Sequence, residues 1–120
     1  MKSNMSFNLK NFFDYENRYD ILVNGIKHYE ENRFFSNEMI YLIRSMSDFL
    51  YEKMKSNESN LYGVLTDIED ISNAGDTYKI GIKVSKIYLK DSKSIDNLYE
   101  KTETYTFSFN AKKRSFMLKK

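Results

Sequence analysis

The spacing of hydrophobic residues changes once along this chain, near residue 60. Before that point they recur every three or four positions, which is the period of a helix with one buried face. After it they recur at every second position, which is the period of a strand with one buried side. This change predicts an α+β fold in which two N-terminal amphipathic helices pack on a curved antiparallel sheet of roughly four strands. With 120 residues, the chain is expected to form a single domain, mainly helical over residues 1–60 and a sheet over residues 61–120.

Two helices are predicted in the first half. The first has an N-cap at Asp14 and an apolar stripe made of Tyr15, Tyr19, Leu22, Ile26 and Tyr29. The second is capped by Ser36 and has a continuous apolar stripe made of Met39, Leu42, Ile43, Met46, Phe49, Leu50 and Met54. Residues 1–13 are expected to form a short helix or arm that packs its phenylalanines on the body of the protein.

The strands are predicted from the alternation of inward and outward residues. The first strand has Tyr62, Val64, Thr66 and Ile68 on one face, and a turn at residues 73–76 connects it to the second. The second strand has Tyr78, Ile80, Ile82 and Val84 on its inward face. After Val84 the apolar parity changes, which predicts a β-bulge near Ser85 and Lys86. A third strand is expected from Tyr99 to Phe109, with Tyr105, Phe107 and Phe109 facing inward, and a short last strand from Phe116 to Leu118.

The residue types needed for most catalytic and metal sites are missing. His28 is the single histidine, and the chain has no cysteine, so a structural zinc site of four nitrogen or sulfur ligands cannot be assembled. As a general base, His28 would need a hydroxyl and a carboxylate brought to it by the fold. The acidic residues around the first hairpin, Asp67, Glu69, Asp70 and Asp76, match no EF-hand spacing and are expected to be solvated. The sequence therefore predicts a non-enzymatic protein with no catalytic residue, no metal and no cofactor.

Positive charge is concentrated at the C-terminal end. Positions 1–60 contain eight lysines and arginines and nine acidic residues. Positions 61–120 contain eleven lysines and arginines and eight acidic residues. A possible basic patch is formed by Lys112, Lys113, Arg114, Lys119 and Lys120. Together with the nearby phenylalanines this patch has the ingredients of a site for single-stranded nucleic acid, although the same rings occupy inward positions that the core requires.

A second possible contact lies on the outward face of the second strand. Lys79 and Lys83 flank Gly81, whose missing side chain leaves a local gap on that face. A partner backbone or a ligand is able to approach such a gap, although a glycine of this kind more often accommodates the twist of the sheet.

The closing segment YTFSFNAKKRSFMLKK, residues 105–120, is similar to the closing hairpin of many bacterial members of the nuclear-transport-factor-2-like superfamily, which has a cystatin-like fold. In both, a threonine-rich strand leads through a polar turn into a strand with an aromatic and an aliphatic residue. Many members have a tryptophan where this chain has Phe116. The resemblance implies a scaffold or pocket protein, such as the assembly-factor domains of conjugation and type IV secretion machines.

These observations predict a protein–protein interaction module, for which the ten tyrosines are suited. Abundant Lys, Asn, Ile, Tyr and Phe with little Ala, Gly, Pro and Arg is typical of an AT-rich genome and indicates a bacterium, a phage or another mobile element. The module is expected to be an assembly component, an inhibitor or an immunity protein, and to be cytoplasmic unless the chain is a fragment of an anchored protein.

Two alternative functions remain open. One is a small-molecule pocket protein or minor enzyme of the nuclear-transport-factor-2-like kind, with a tyrosine-lined cavity of roughly 300 Å³ or more into which His28 or a carboxylate points. The other is nucleic-acid binding through the basic residues of the C-terminal end.

Overall fold

The elements of the fold are defined by a computed structural model, which describes residues 5–90 and 97–120. In chain order they are β1 (Ser6–Asn8), α1 (Lys10–Phe13), α2 (Arg18–Asn32), α3 (Asn37–Met54), β2 (Leu61–Ala74), β3 (Thr77–Leu89), β4 (Leu98–Asn110) and β5 (Ser115–Lys119). None of the helices in this described part of the chain is long and apolar enough to cross a membrane.

The strands form one antiparallel sheet in the order β1-β5-β4-β3-β2, with the helices packed on one face. This confirms the predicted α+β class. Within the described residues the sheet has five strands rather than about four, and the additional strand is β1, which pairs with β5 through Phe7 and Leu118. A strand of three residues is too short to show an alternating pattern, and β1 lies in the half of the chain with helical periodicity. It therefore gave no signal of its own.

The two long helices follow their predicted stripes, with one difference in where the first begins. The predicted cap at Asp14 is wrong, since α2 has Asn17 at its N-cap and Tyr15 precedes the helix with 56% of its surface exposed. The prediction for α3 is confirmed, because the Ser36 hydroxyl accepts the Met39 N–H at 3.2 Å.

Polar contacts fix α3 on the edge strand β2. The Thr66 hydroxyl donates to the Ile43 carbonyl, and the Thr66 N–H donates to the Ser47 hydroxyl at 3.1 Å. At the surface, the Arg44 guanidinium donates to the Asp67 carboxylate at 3.0 Å. These bonds satisfy the buried threonine and set how the helix lies along the strand.

Strand β3 is regular, so the predicted bulge near Ser85 and Lys86 is wrong. Its pairing with β4 runs without a shift along its whole length, and the bulges lie in β2, between Leu61 and Gly63 and between Ile68 and Asp70. The alternation is kept because the inward position after Val84 is taken by Lys86, which two glutamates neutralise.

Stacked aromatic rings fill the centre of the core. Phe13 of α1 stacks on Phe107 and Phe116, with ring centroids 5.3 and 4.9 Å apart. Phe109 continues the stack onto Phe116 at 5.3 Å. The prediction that Tyr105, Phe107 and Phe109 face inward is confirmed, since all three are buried. These rings join α1 to the last two strands of the chain.

Gly25 allows a close approach of α2 and α3, which gives the first testable prediction. A Cβ at this position would lie 2.7 Å from Sδ and 3.0 Å from Cβ of Met39, which is fully buried. We expect Gly25→Ala to lower the free energy of unfolding by about 1 kcal/mol in urea denaturation, because overpacking exceeds the gain in helix propensity. Gly63→Ala is the control, since no atom lies within 4 Å of its added Cβ. Equal stability of the two variants would contradict this packing account.

Candidate functional site: an aromatic groove beside a basic turn

A groove of about 360 Å³ lies between α2 and the tips of β3 and β4. Its lining residues are Tyr19, Val23, Ile26, Lys27, Glu30, Tyr78, Phe109 and Ala111. The helix contributes side chains spaced three or four residues apart, so they share one face. The sheet contributes Tyr78 and Phe109, which lie opposite each other in the pairing of β3 with β4. The groove is therefore where the helix layer and the sheet layer meet at one end of the molecule.

The aromatic walls of the groove are held by neighbouring rings. Tyr78 stacks on Phe109 with centroids 6.3 Å apart, and Tyr19 meets Phe109 edge-on at 6.0 Å. The Tyr78 hydroxyl donates to the Glu30 carboxylate at 2.9 Å. Burial raises the pKa of Tyr78, and the bond to Glu30 raises it further, so the hydroxyl stays protonated and donates at neutral pH. The groove thus has apolar walls and one fixed polar pair.

A basic turn, residues 111–114, lies at the edge of the groove. Its Ala111 is part of the lining, and the Arg114 guanidinium stacks on the Tyr19 ring at 3.6 Å from the centroid. The Asn110 side chain accepts the Lys113 N–H at 2.9 Å and shapes the turn. Lys112 pairs loosely with Asp76 at 3.6 Å, and both groups are exposed. The turn therefore presents positive charge beside the aromatic walls.

The structure divides the predicted basic patch into two places. Lys112, Lys113 and Arg114 lie together in the turn, whereas Lys119 and Lys120 lie at the other end of β5. Lys120 is engaged there by the Glu103 carboxylate at 2.8 Å. The neighbouring rings of Phe107, Phe109 and Phe116 are buried, so they have no face free for stacking on bases.

The predicted gap at Gly81 is occupied within the chain. Lys79, Gly81 and Lys83 do share the outer face of β3. A Cβ on Gly81 would lie 2.2 Å from the Asp70 carboxylate, so the Asp70 side chain covers this position. The β2 bulge between Ile68 and Asp70 lies directly opposite and brings that carboxylate there. Gly81 therefore makes room for the neighbouring strand rather than leaving an open gap.

A buried ion-pair cluster lies at the opposite end of the sheet from the groove. Lys86, only 2% exposed, has its ammonium 2.9 Å from the Glu103 carboxylate and 3.3 Å from that of Glu58. Tyr88 donates to Glu58 and Tyr105 to Glu103, the latter at 3.3 Å. The Lys86 amine is out of reach of a substrate, so this cluster is suited to holding the loop before β2 onto the sheet.

The charges in the cluster shift the pKa values of its acidic groups. Burial raises the pKa of the Glu103 carboxyl, but hydrogen bonds from Lys120 and Lys86 and their positive charges outweigh burial and hold it below the usual value. Burial and the Glu103 carboxylate raise the pKa of Tyr105, and burial and the hydrogen bond to Glu58 raise that of Tyr88. At neutral pH the carboxylate is charged and both hydroxyls donate.

His28 lies at the boundary between core and solvent. Together with Ser36 and Glu38 it lines a small cavity of about 220 Å³. Its Nδ1 is 3.4 Å from the Asn32 amide nitrogen, and its buried Nε2 has no hydrogen-bond partner in residues 5–90 and 97–120. Ser36 already accepts the Met39 N–H as a helix cap. Within the described residues, no hydrogen bond joins His28 to a hydroxyl or a carboxylate.

The acidic residues of the first hairpin are separated from one another. Asp67 is bound by Arg44, Asp70 covers Gly81, and Asp76 lies near Lys112. Over the described ranges, no three histidine, aspartate or glutamate side chains are close enough together to hold a metal ion.

Sequence reasoning identified the aromatic residues of the groove but not the groove. Tyr19, Tyr78 and Phe109 were all predicted as inward-facing members of their helix or strand. Which inward-facing rings stay uncovered depends on where α2 lies over the sheet, and no periodicity reports that. Ala111 is one of two alanines in the chain, and its small side chain in the turn leaves room for the groove.

The ion-pair cluster gives a prediction for the pH dependence of stability. The folded-state pKa of Glu103 is lowered, so its contribution is fully present above the unfolded-state pKa of about 4.3 and is lost as the pH falls toward the folded-state value. We expect Glu103→Gln to reduce the free energy of unfolding by about 2 kcal/mol at pH 7 and by less at pH 3, measured by urea denaturation. Glu100→Gln, an exposed position on the same strand, is the control. A Glu103→Gln deficit that stays constant with pH would argue against this account.

Comparison with known proteins finds no matching family model, no similar curated protein and no similar solved structure. The resemblance of residues 105–120 to the nuclear-transport-factor-2-like superfamily therefore stays a prediction.

Proposed function

We propose that this protein is a non-enzymatic interaction module that binds an acidic segment of a partner protein, with one apolar side chain of that segment seated in the aromatic groove. The observation that carries the proposal is the juxtaposition of the aromatic walls, Tyr19 and Tyr78 with the buried Phe109 behind them, with the basic turn at residues 111–114. Tyrosine and arginine are the residue types that dominate binding energy at protein interfaces.

Charge favours an acidic partner. The positive side chains that line the groove or belong to the turn are Lys27, Lys112, Lys113 and Arg114. Two carboxylates lie near these four positive groups, Glu30, which accepts from the Tyr78 hydroxyl, and Asp76, which pairs with Lys112. Positive charge is therefore in excess at the mouth of the groove, and acidic residues flanking the anchor side chain would meet it.

The first test uses a short acidic peptide with a single tryptophan as the anchor. The protein has no tryptophan, so fluorescence reports the peptide alone. We expect a saturable blue shift as the indole enters the groove, and Ala111→Phe, which fills the groove, to weaken binding at least about tenfold. Ala74→Phe, at the other alanine of the chain and exposed at the end of β2, is the matched control. No blue shift, or equal binding by the two variants, would refute docking in the groove.

A pair of charge reversals tests the electrostatic part separately. The double variant Lys112→Glu with Lys113→Glu should bind the acidic peptide at least about tenfold more weakly, and its binding should lose most of its salt dependence. Lys79→Glu with Lys83→Glu makes the same change of charge on the outer face of β3 and should leave binding unchanged. An equal loss in both double variants would mean that only net charge matters.

The second candidate function is binding of a small amphipathic anion in the same groove. Its volume of about 360 Å³ and its lining by two tyrosines favour this alternative. A ligand with an apolar body would fill the walls, and its anionic group would lie at the basic turn.

Decanoate is the probe for this alternative. At about ten times its dissociation constant we expect it to raise the melting temperature of the wild type by about 4 °C, and to have no effect on Ala111→Phe. Ala74→Phe should respond like the wild type. Stabilisation by decanoate without binding of the acidic peptide would favour the pocket protein over the interaction module.

A further inference from the structure

One half of β4 has an open edge. The strand has thirteen residues, but β5 pairs with only Thr106 to Asn110. On that side residues 98–105 have no strand partner within residues 5–90 and 97–120. Their other side is paired with β3 along its whole length. Alternate backbone N–H and C=O groups of this segment are therefore directed to the open side.

The other edges of the sheet are less suited to accepting a strand. The edge strand β2 has two bulges and contains three acidic residues, Asp67, Glu69 and Asp70. Bulges and charges of one sign are devices that prevent edge-to-edge pairing. The edge strand β1 has only three residues. Residues 98–105 form the longer, regular edge.

We propose that residues 98–105 pair antiparallel with the same residues of a second copy of this chain, about a two-fold axis at Thr102. The two five-stranded sheets would then form one continuous sheet in the dimer. The contact lies at the end of β4 away from the aromatic groove, so it is independent of the proposed binding function.

Charge selects this register. A two-fold axis perpendicular to the sheet keeps each residue on the same face in both copies, so the axis must pass through a residue rather than between two residues. Within residues 98–105, the registers that pair at least five residues of each copy have this axis at residue 100, 101, 102 or 103. Centring on Glu100, Lys101 or Glu103 places that charge directly opposite its own copy, which is destabilising. Centring on Thr102 places threonine opposite threonine and Lys101 opposite Glu103 of the second copy, twice by symmetry.

Lys101 has an unfavourable neighbour within one chain. It pairs across the sheet with Lys86 of β3, and in the described part of the chain it forms no ion pair. Glu103 of the second copy, which is already bound by Lys86 and Lys120 of its own chain, would share its carboxylate with Lys101. Tyr99, which is 38% exposed, is the first of the seven paired residues and would lose exposure in the dimer. Charge and apolar surface therefore favour the same partner.

The first experiment measures the mass of the 120-residue chain by sedimentation velocity over about 1 to 300 µM. A contact of seven residues per copy is short, so we expect a concentration-dependent rise from 14.4 kDa toward twice that mass. Lys101→Glu should weaken the dimer at least about tenfold, because the new carboxylate faces Glu103 of the second copy. Within its own chain that carboxylate faces Lys86, so the fold is kept, which circular dichroism checks.

Lys83→Glu makes the same change of charge on the outer face of β3, away from the open edge, and should dimerise like the wild type. A monomer at every concentration would overturn the proposal. A dimer that Lys101→Glu and Lys83→Glu affect equally would also overturn it.

The second experiment locates the axis by cross-linking. The chain has no cysteine, so Thr102→Cys introduces a single thiol, and two such thiols meet at the axis. Directly opposed residues of an antiparallel pair have Cα atoms about 4.5 to 5.5 Å apart, within the range of a disulfide. We expect an oxidised covalent dimer from Thr102→Cys and none from Thr106→Cys, which lies on the same face beside β5. Equal cross-linking of the two variants, or none in either, would contradict the two-fold axis at Thr102.

Discussion

The stack of phenylalanine rings between α1 and the last two strands is the interaction on which the rest of the structure depends. Phe13 reaches both Phe107 and Phe116, so a residue near the beginning of the chain is fixed against residues near its end. Stacked rings bury a large apolar area and favour one offset geometry. The stack holds β1 beside β5. It also places the beginning of α2 at the end of the sheet where Phe109 lies, so that Tyr19 of α2 contacts Phe109. The position of the aromatic groove follows from that path of the chain.

The two ends of the sheet are stabilised by different physical means. At one end aromatic rings and aliphatic side chains exclude water, and a part of that apolar surface remains open as the groove beside the basic turn. At the other end an inward position of β3 is occupied by Lys86, whose charge is neutralised by Glu58 and Glu103. Two tyrosine hydroxyls donate hydrogen bonds to these carboxylates. Removing one member of such a cluster leaves a buried charge without its partner, so the cluster is sensitive to pH in a way that the aromatic end is not. The open edge of β4 lies at this charged end, where neighbouring charges decide which register a second strand would take.

Much of the fold could be predicted from the sequence, and the errors have a common cause. The stripe of α3 and the alternation of β4 were predicted correctly because each is a long run of residues with one period. The bulge predicted at Ser85 and Lys86 was wrong because the alternation was followed through apolar residues alone, whereas the inward position after Val84 is taken by the charged Lys86. Strand β1 was missed because three residues carry no period. The groove residues were predicted individually, but their assembly into one site was not.

The sequence by itself determined the class of the fold, the two long helices and the inward faces of the strands, because burial of one face imposes a period that local composition must follow. It also determined that these 120 residues cannot form a structural zinc site of four nitrogen or sulfur ligands and have no thiol, because the sequence has one histidine and no cysteine. The tertiary structure alone decided that Asp70 covers Gly81, that the basic residues are divided between the two ends of β5, and that Lys86 is buried between two glutamates. Each of these depends on contacts between residues far apart in the chain, and the spacing of residues within one segment carries no information about its distant neighbours.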